Sequence, residues 1–289
     1  MTRLIRRTLS CNAAAALRLW CALLLTGLAA LSAFAAPPIH FYFVQVTDTH
    51  WGARDGAALT RRAVEAINQL PYKIEFVVHT GDMLADSIGS ESVVQDGLDA
   101  MKGLTAPVYY VPGNHDILTS DVPTTAGLYK KYFGALSRRV DVQGVVCLFF
   151  YSEPLAGGFR VRGYDALGWL EQNLKDVGDK PVLLFQHSPS VGNLFDKHDP
   201  SVWDEGMRET WEKLVKGKAS LKAIVAGHLH RDELHWVGQI PLYVSAPMAR
   251  FWDRQPSFRV YEYWDGRLGY WTVYLEEGKG KRKEVNSKQ

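Results

Sequence analysis

Apolar runs of four to six residues, each the length of one strand, recur along the chain and alternate with amphipathic stretches. Residues 41–46 read as a strand, 57–70 as a helix stopped by Pro71, 74–78 as a second strand, 93–101 as a helix and 108–111 as a third strand. This βα alternation predicts a parallel sheet with crossover helices. After Asp116 the pattern changes. A helix over 128–133 leads into residues 139–151, where Gly144 marks a turn between two strands. Asp165 is placed to cap a helix that carries Leu167, Leu170 and Leu174 on one face. Residues 182–185 read as a strand, Asp199-Pro200 opens a further helix, and 221–226 read as a strand. From 234 to 275, Tyr, Trp and Val with turns at Gly238 and Asp265-Gly266 predict antiparallel strands, placed in a second, mixed sheet packed on the first. No internal repeat or linker divides 40–275, so one domain is expected over 36–277, followed by a basic, disordered tail over 278–289.

Composition adds bounds. A chain of 289 residues, 47% hydrophobic and 22% charged, can bury a substantial globular core. A formal charge of +2 leaves no electrostatic footprint for nucleic acid. The N-terminus has the form of an export signal over 1–35: Arg3, Arg6 and Arg7, an apolar run over 19–31, and Ala33-Phe34-Ala35 for a peptidase. Cleavage there removes four arginines and leaves 29 basic against 31 acidic side chains, so the positive balance belongs to the leader. The expected location is periplasmic or secreted. The alternative is an uncleaved anchor, in which case this segment is the chain's membrane contact. Cys11 and Cys21 lie in the leader, and Cys147 is left alone as a buried core thiol.

Five fragments carry metal-binding side chains, each at or just past the end of an apolar run: Asp48-Thr49-His50, Gly81-Asp82, Gly113-Asn114-His115-Asp116, His187 and Gly227-His228-Leu229-His230. Residues two apart on a strand end, such as Asp48 and His50 or His228 and His230, point to the same side. Any one pair alone reads better as a satisfied core or surface histidine. Five of the nine histidines falling in such fragments is the signal that decides. Imidazoles with carboxylates suit iron, manganese or zinc rather than calcium, and the lack of thiolates speaks against a structural zinc site.

This ordered series resembles the calcineurin-like metallophosphoesterase superfamily over roughly residues 40–248, in its bacterial phosphodiesterase and phosphatase branch. The resemblance implies a four-layer αββα sandwich of two mixed sheets flanked by helices. It also implies two divalent or mixed-valence ions at the strand C-terminal ends. The first ion is assigned to Asp48, His50, His230 and a bridging Asp82, the second to Asp82, Asn114, His187 and His228. Ions about 3.5–4 Å apart stabilise both oxygens of an in-line displacement, with a hydroxide held between them as the nucleophile. His115, outside the ligand set, is assigned to protonating the leaving group. The family acid three residues after the bridging aspartate is replaced here by Ala85, which leaves Asp86, Asp116 or water to orient His115. Ala85 also departs from the tyrosine ligand of purple acid phosphatases, and the Asp-Arg-Gly continuation of protein serine/threonine phosphatases is absent after Asp82.

The expected activity is hydrolysis of a small phosphodiester or phosphomonoester. A nucleotide or lipid pyrophosphatase and a non-catalytic binding protein on the same fold are the alternatives. His79 is placed beneath the site. His198 and Trp203 lie on a long connection that could overhang the metals, and Phe251, Trp252 and Arg254 could border the pocket, although aromatic residues this frequent are more often core. His40 and His235 have no supporting pattern.

Overall fold

Strand alternation sets the architecture. In β6 (Val182–Phe185), Val182 and Leu184 face one side and Leu183 and Phe185 the other, and all four are buried. A strand buried on both faces needs a cover on each, which is the situation inside a layered sandwich. The computed structural model describes residues 38–190, 203, 205–250 and 254–275 and shows that sandwich.

The first half of the chain runs β1 (His40–Val46), α1 (Gly56–Asn68), β2 (Ile74–His79), α2 (Glu91–Met101), β3 (Val108–Tyr110) and α3 (Val122–Phe133). Next come β4 (Arg138–Val142), β5 (Val145–Phe149), α4 (Glu153–Ala156), α5 (Ala166–Asp176), β6, α6 (Glu205–Val215) and β7 (Leu221–Ala226). The chain closes with β8 (Glu233–Val237), β9 (Ile240–Val244), β10 (Ser257–Trp264) and β11 (Arg267–Tyr274). One sheet has the order β11-β10-β1-β2-β3 and the other β4-β5-β6-β7-β9-β8. Both are mixed: β1, β2 and β3 are parallel, as are β5, β6, β7 and β9, with antiparallel strands at the edges.

Phe41, Phe43, Phe76 and Tyr261 from the first sheet meet Cys147, Phe149, Phe185 and Val225 from the second in an aromatic-rich layer. Phe43 lies between Phe76 and Tyr261, stacked at 4.9 and 4.8 Å. Outside this layer, Leu59, Ala63 and Ile67 of α1 cover Val44, Val77 and Val260. Leu170 and Leu174 of α5, with Trp211 and Val215 of α6, cover Val146, Leu184 and Ile224. The carboxylate of Asp165 caps α5 by accepting from the Gly168 N–H at 3.1 Å. The Gln143-Gly144 turn between β4 and β5 has both residues at positive φ, the hairpin geometry that matches strand twist.

One expectation needs correction. The strands after residue 234 do not all enter the second sheet. β8 and β9 do, but β10 and β11 extend the first, with Gln45 opposite Arg259 across β1 and β10. The reason is that β1 is buried on both faces from Phe43 onward, so the backbone groups of its open edge require a partner strand. Trp203 is one of the core aromatics. It is 3% exposed and packs edge-on against Trp211. The leader, the tail, His198, the Asp199-Pro200 helix start, Phe251 and Trp252 lie outside the described residues. Among the described residues no helix is long and apolar enough to cross a membrane.

Two glycines predict opposite outcomes. A Cβ on Gly97 of α2 would sit 2.0 Å from the ring of fully buried Trp51, whereas one on exposed Gly127 of α3 would meet nothing within 4 Å. Gly97→Ala is expected to lower stability by about 1–3 kcal/mol through overpacking. Gly127→Ala is expected to raise it by up to about 1 kcal/mol through helix propensity and the unfolded chain. Urea unfolding of the two variants checks the pair; a stabilised Gly97→Ala contradicts the packing described.

Candidate metal centre

Every expected site side chain arrives on a turn that leaves the C-terminal end of a parallel strand. β1 delivers Asp48 and His50, β2 delivers Asp82, and β3 delivers Asn114 and His115. From the other sheet, β6 delivers His187 and β7 delivers His228 and His230. The cluster therefore straddles the junction of two sheets instead of lying on the edge of one. The turns are sharp: Asp48, His50, Asp82, His228 and His230 all have positive φ, between 45° and 70°. Left-handed backbone at a non-glycine residue costs on the order of 1–3 kcal/mol and persists where the surroundings over-determine it. Gly81, at φ +101°, lies so close to His187 that a Cβ would stand 2.4 Å from its Nδ1.

Hydrogen bonds to the outer atoms leave the inner atoms facing one another. Asp48 Oδ2 accepts from Thr47 Oγ1 at 2.6 Å and from the His228 N–H at 3.1 Å, so Oδ1 turns inward to stand 3.1 Å from His230 Nε2. Asp82 Oδ1 accepts from the His115 N–H at 2.9 Å. Its Oδ2 lies 3.1 Å from His187 Nε2, 3.9 Å from His50 Nε2 and 4.0 Å from His115 Nε2. His187 Nδ1 donates to the Thr80 carbonyl at 2.7 Å, which leaves Nε2 as its inner atom. Further inner pairs are His50 Nε2 with His230 Nε2 at 3.3 Å, His187 Nε2 with Asn114 Oδ1 at 3.1 Å, and His187 Nε2 with His228 Nδ1 at 3.2 Å.

The donor set fits two cations. One atom each from Asp48, His50, Asp82 and His230 falls within 4.8 Å of the others, as does one each from Asp82, His187 and His228, with Asp82 common to both groups. Ligands about 2.0–2.2 Å from an ion stand about 3.0–3.5 Å from each other, close to the spacings found here. Charge agrees with geometry. Burial alone raises a carboxyl, but neighbouring imidazoles, His230 for Asp48 and His187 for Asp82, hold both well below the usual range. Burial pushes His228 down to about 4 and lowers His50, keeping both neutral and able to ligate. His187 moves the other way: burial opposes its charge, yet Asp82 at 3.1 Å and Asp48 drive it well above its ordinary value. Two buried carboxylates demand positive charge, and a cation would take over what the His187 proton supplies.

The residue orienting His115 is Asp86, whose Oδ1 stands 2.8 Å from His115 Nδ1. Asp86 reaches this position from a left-handed backbone, φ 57°, one residue beyond the family's usual place. Asp116 is committed elsewhere, accepting from the Leu84 and Gly113 N–H groups at 3.0 and 2.9 Å. Burial, reinforced by Asp82, pushes its carboxyl up to about 7. His79 lies beneath the site, fully buried. The Thr49 hydroxyl donates to the Met83 carbonyl, so His79 Nε2 donates to Thr49 Oγ1 at 3.0 Å. Arg254 donates to the His230 carbonyl at 3.0 Å, while His40 and His235 pair with Glu262 and Glu233 away from the cluster. The sequence reading missed Thr47, Gln45 and Arg259. Gln45 and Arg259 carried a signal, each being a polar residue between apolar neighbours, Val44 and Val46 or Phe258 and Val260, inside a strand.

This fold and this group of residues define a metallophosphoesterase, a hydrolase of phosphoric esters. Residues 41–232 match the calcineurin-like phosphoesterase family model, and the chain belongs to that family. It is 31% identical over 222 residues to the serine/threonine-protein phosphatase CPPED1 of Danio rerio, covering 66% of this chain and 71% of the relative. It is 27% identical over 206 residues to the glycerophosphodiester phosphodiesterase GpdQ of Enterobacter lignolyticus, covering 64% and 69%. The fold is also that of a dimetal phosphatase from Danio rerio, at a TM-score of 0.55 and 16% identity over 83% of this chain and all of that one.

Ions that bind the folded chain alone stabilise it by mass action, by about 2.7 kcal/mol at a hundredfold excess over Kd. Chelator-treated protein is therefore expected to gain melting temperature as Mn²⁺ is added, and Asp82→Ala to lose most of that gain. A full Mn²⁺ response in Asp82→Ala contradicts a shared carboxylate.

Proposed function

We propose that this chain is an exported, dinuclear metal-dependent phosphoesterase that hydrolyses a small phosphodiester or phosphomonoester. The observation that carries the reading is Asp82, which is common to both ligand groups: its Oδ2 lies 3.1 Å from His187 Nε2 and 3.9 Å from His50 Nε2, while its Oδ1 is held by the His115 N–H. Asp48, His50, Asp82 and His230 would hold one ion, and Asp82, Asn114, His187 and His228 the other. Bound there, divalent iron, manganese or zinc supplies an activated water and neutralises charge on the phosphoryl oxygens. Asn114 contributes a neutral oxygen, so two carboxylates face two dications and the site keeps a net positive charge suited to a phosphate anion. The arginines at 3, 6 and 7, the apolar run and the Ala33-Phe34-Ala35 triplet support export.

His115 handles the proton. Its side chain is 39% exposed while Asp48, His50, Asp82 and His187 are buried, so a bound ester can reach it. Asp86 accepts from Nδ1, which fixes the ring and aims Nε2 towards Asp82 and the centre. Burial lowers a histidine, but Asp82 and Asp86 together raise this one, so a proton stays available on Nε2 for a departing alkoxide. The phosphodiesterase relative supports a diester substrate, and the phosphatase relative supports a monoester.

For His115→Ala, the loss of kcat/KM is expected to be about a hundredfold or more on alkyl phosphoesters and much smaller on nitrophenyl esters, whose leaving groups need no proton. Equal losses on both would remove the proton-donor role. Across a panel of alkyl monoesters, diesters, pyrophosphate and a phosphoserine peptide, the small esters should be turned over fastest. A strong preference for the peptide contradicts the small-substrate reading.

A further inference from the structure

A buried polar chain runs beneath the metal centre and spans both sheets. Gln45 of β1 and Arg259 of β10 are register partners, so their side chains leave the sheet on the same face, and both are 0% exposed. Tyr261, two residues along β10, shares that face and stacks on Phe43 in the inter-sheet layer. Gln45 stands three residues before Asp48, so these groups form the last rung of the inter-sheet layer before the site. Amides and guanidinium groups are costly to bury, and their hydrogen bonds show where they act.

Gln45 Nε2 donates to Thr80 Oγ1 at 2.8 Å and to the Ala226 carbonyl at 2.8 Å. Its Oε1 accepts from the Tyr261 hydroxyl at 3.0 Å, and Tyr261 in turn accepts from Arg259 Nη1 at 3.2 Å. Arg259 Nη2 donates to Asp232 Oδ1, and its guanidinium lies 4.3 Å over the Tyr270 ring. Each end point adjoins a ligand. Thr80 precedes Gly81-Asp82 by one residue, and its carbonyl holds His187 Nδ1. Its N–H is also used, donating to the Val46 carbonyl at 3.0 Å. Ala226 precedes Gly227-His228, and Asp232 follows His230 by two residues and also accepts from the Ala246 N–H at 2.9 Å.

We infer that Gln45, Tyr261 and Arg259 are positioning residues that hold the ligand-bearing turns of the two sheets at metal-binding spacing. Gln45 serves the group of Asp82, His187 and His228 through Thr80 and Ala226. Arg259 serves His230 through Asp232, and the Tyr261 hydroxyl joins the two branches. Apolar packing between sheets resists separation but tolerates sliding, since it has no direction. Hydrogen bonds that cross from β1 to the end of β7 fix the relative position of turns that must meet at donor spacings of 3.1–3.3 Å. The inference rests on the metal-centre reading above.

The test is calorimetric titration of the chelator-treated full chain with Mn²⁺, alongside its melting temperature without metal. Gln45→Leu keeps the volume and cuts the bonds to Thr80 and Ala226, Arg259→Met cuts the bond to Asp232, and Tyr261→Phe removes only the linking hydroxyl. Val260→Ala is the control: it lies between Arg259 and Tyr261 on the opposite face of β10, packed with Leu59 and Val77. Partners of ligands typically change metal affinity about 10- to 100-fold. Gln45→Leu is expected to weaken one of two Mn²⁺ sites about tenfold or more, Arg259→Met to weaken the other, and Tyr261→Phe both to a lesser degree. Val260→Ala should lower the melting temperature with both affinities intact. Should Gln45→Leu or Arg259→Met fail to fold, Tyr261→Phe decides. Wild-type Mn²⁺ affinities in the network variants, with melting temperatures lowered as in Val260→Ala, overturn the inference alone. A wild-type chain that binds no Mn²⁺ overturns the metal-centre reading and this inference together.

Discussion

Two carboxylates, Asp48 and Asp82, are buried together where the ends of two sheets meet, and among the described residues no lysine or arginine pairs with either. An isolated ionised carboxylate is very costly to hold away from water. The surrounding structure answers that cost. Imidazoles from both sheets converge on the inner oxygens, and N–H and O–H groups satisfy the outer ones. His187 is driven towards its charged form by the same two acids. Divalent ions would meet this demand for positive charge more fully than protons can, and two dications against two buried carboxylates would leave an excess suited to a phosphate.

Holding donors of like kind at such short spacings requires a stiff frame. Five of the eight site residues take left-handed backbone, which a flexible loop would relax. They do not relax because each turn is tied to a strand end and packed from below. Trp51 follows His50 and is clamped between Thr60, to which its Nε1 donates at 2.9 Å, and Gly97 of α2. The acidic turn at Asp116 binds the N–H groups of Leu84 and Gly113, joining the second and third ligand turns of the first sheet. Glu153, buried at the start of α4, accepts from the backbone and hydroxyl of Ser188, next to His187. Burial raises its carboxyl, so the favourable bonds to Ser188 work against a desolvation cost. The chemistry is thus confined to a small volume, while the groups that shape it are spread through both sheets.

The ligand fragments were legible in the sequence because metal chemistry permits few residue types and parallel sheets present them at strand ends. Asp48, Asp82 and His187 could be read for that reason, as could the strands that deliver them. The division of the last four strands between two sheets was not legible: β9 and β10 have the same aromatic, β-branched character, and only the open edge of β1 decides which sheet β10 joins. For Trp203 the sequence left pocket and core both open, and what decides it is a partner ring, Trp211, that buries it. The orienting acid of His115 was open between Asp86, Asp116 and water, since one residue of offset can be absorbed only by a backbone conformation that composition does not reveal. Gln45 and Arg259 were passed over because period-2 reading treats a polar residue in a strand as facing solvent, and here it faces the second sheet.

The central claim is that Asp82 would be shared by two metal ions, each held by further ligands from the turns of the two sheets. Anomalous diffraction at the manganese edge, from crystals of the full chain soaked in Mn²⁺, tests it directly. The expected map holds two peaks about 3.5–4 Å apart. One should lie among Asp48, His50 and His230 and the other among Asn114, His187 and His228, with Asp82 between them. A single peak, or a second ion that Asp82 does not touch, contradicts it.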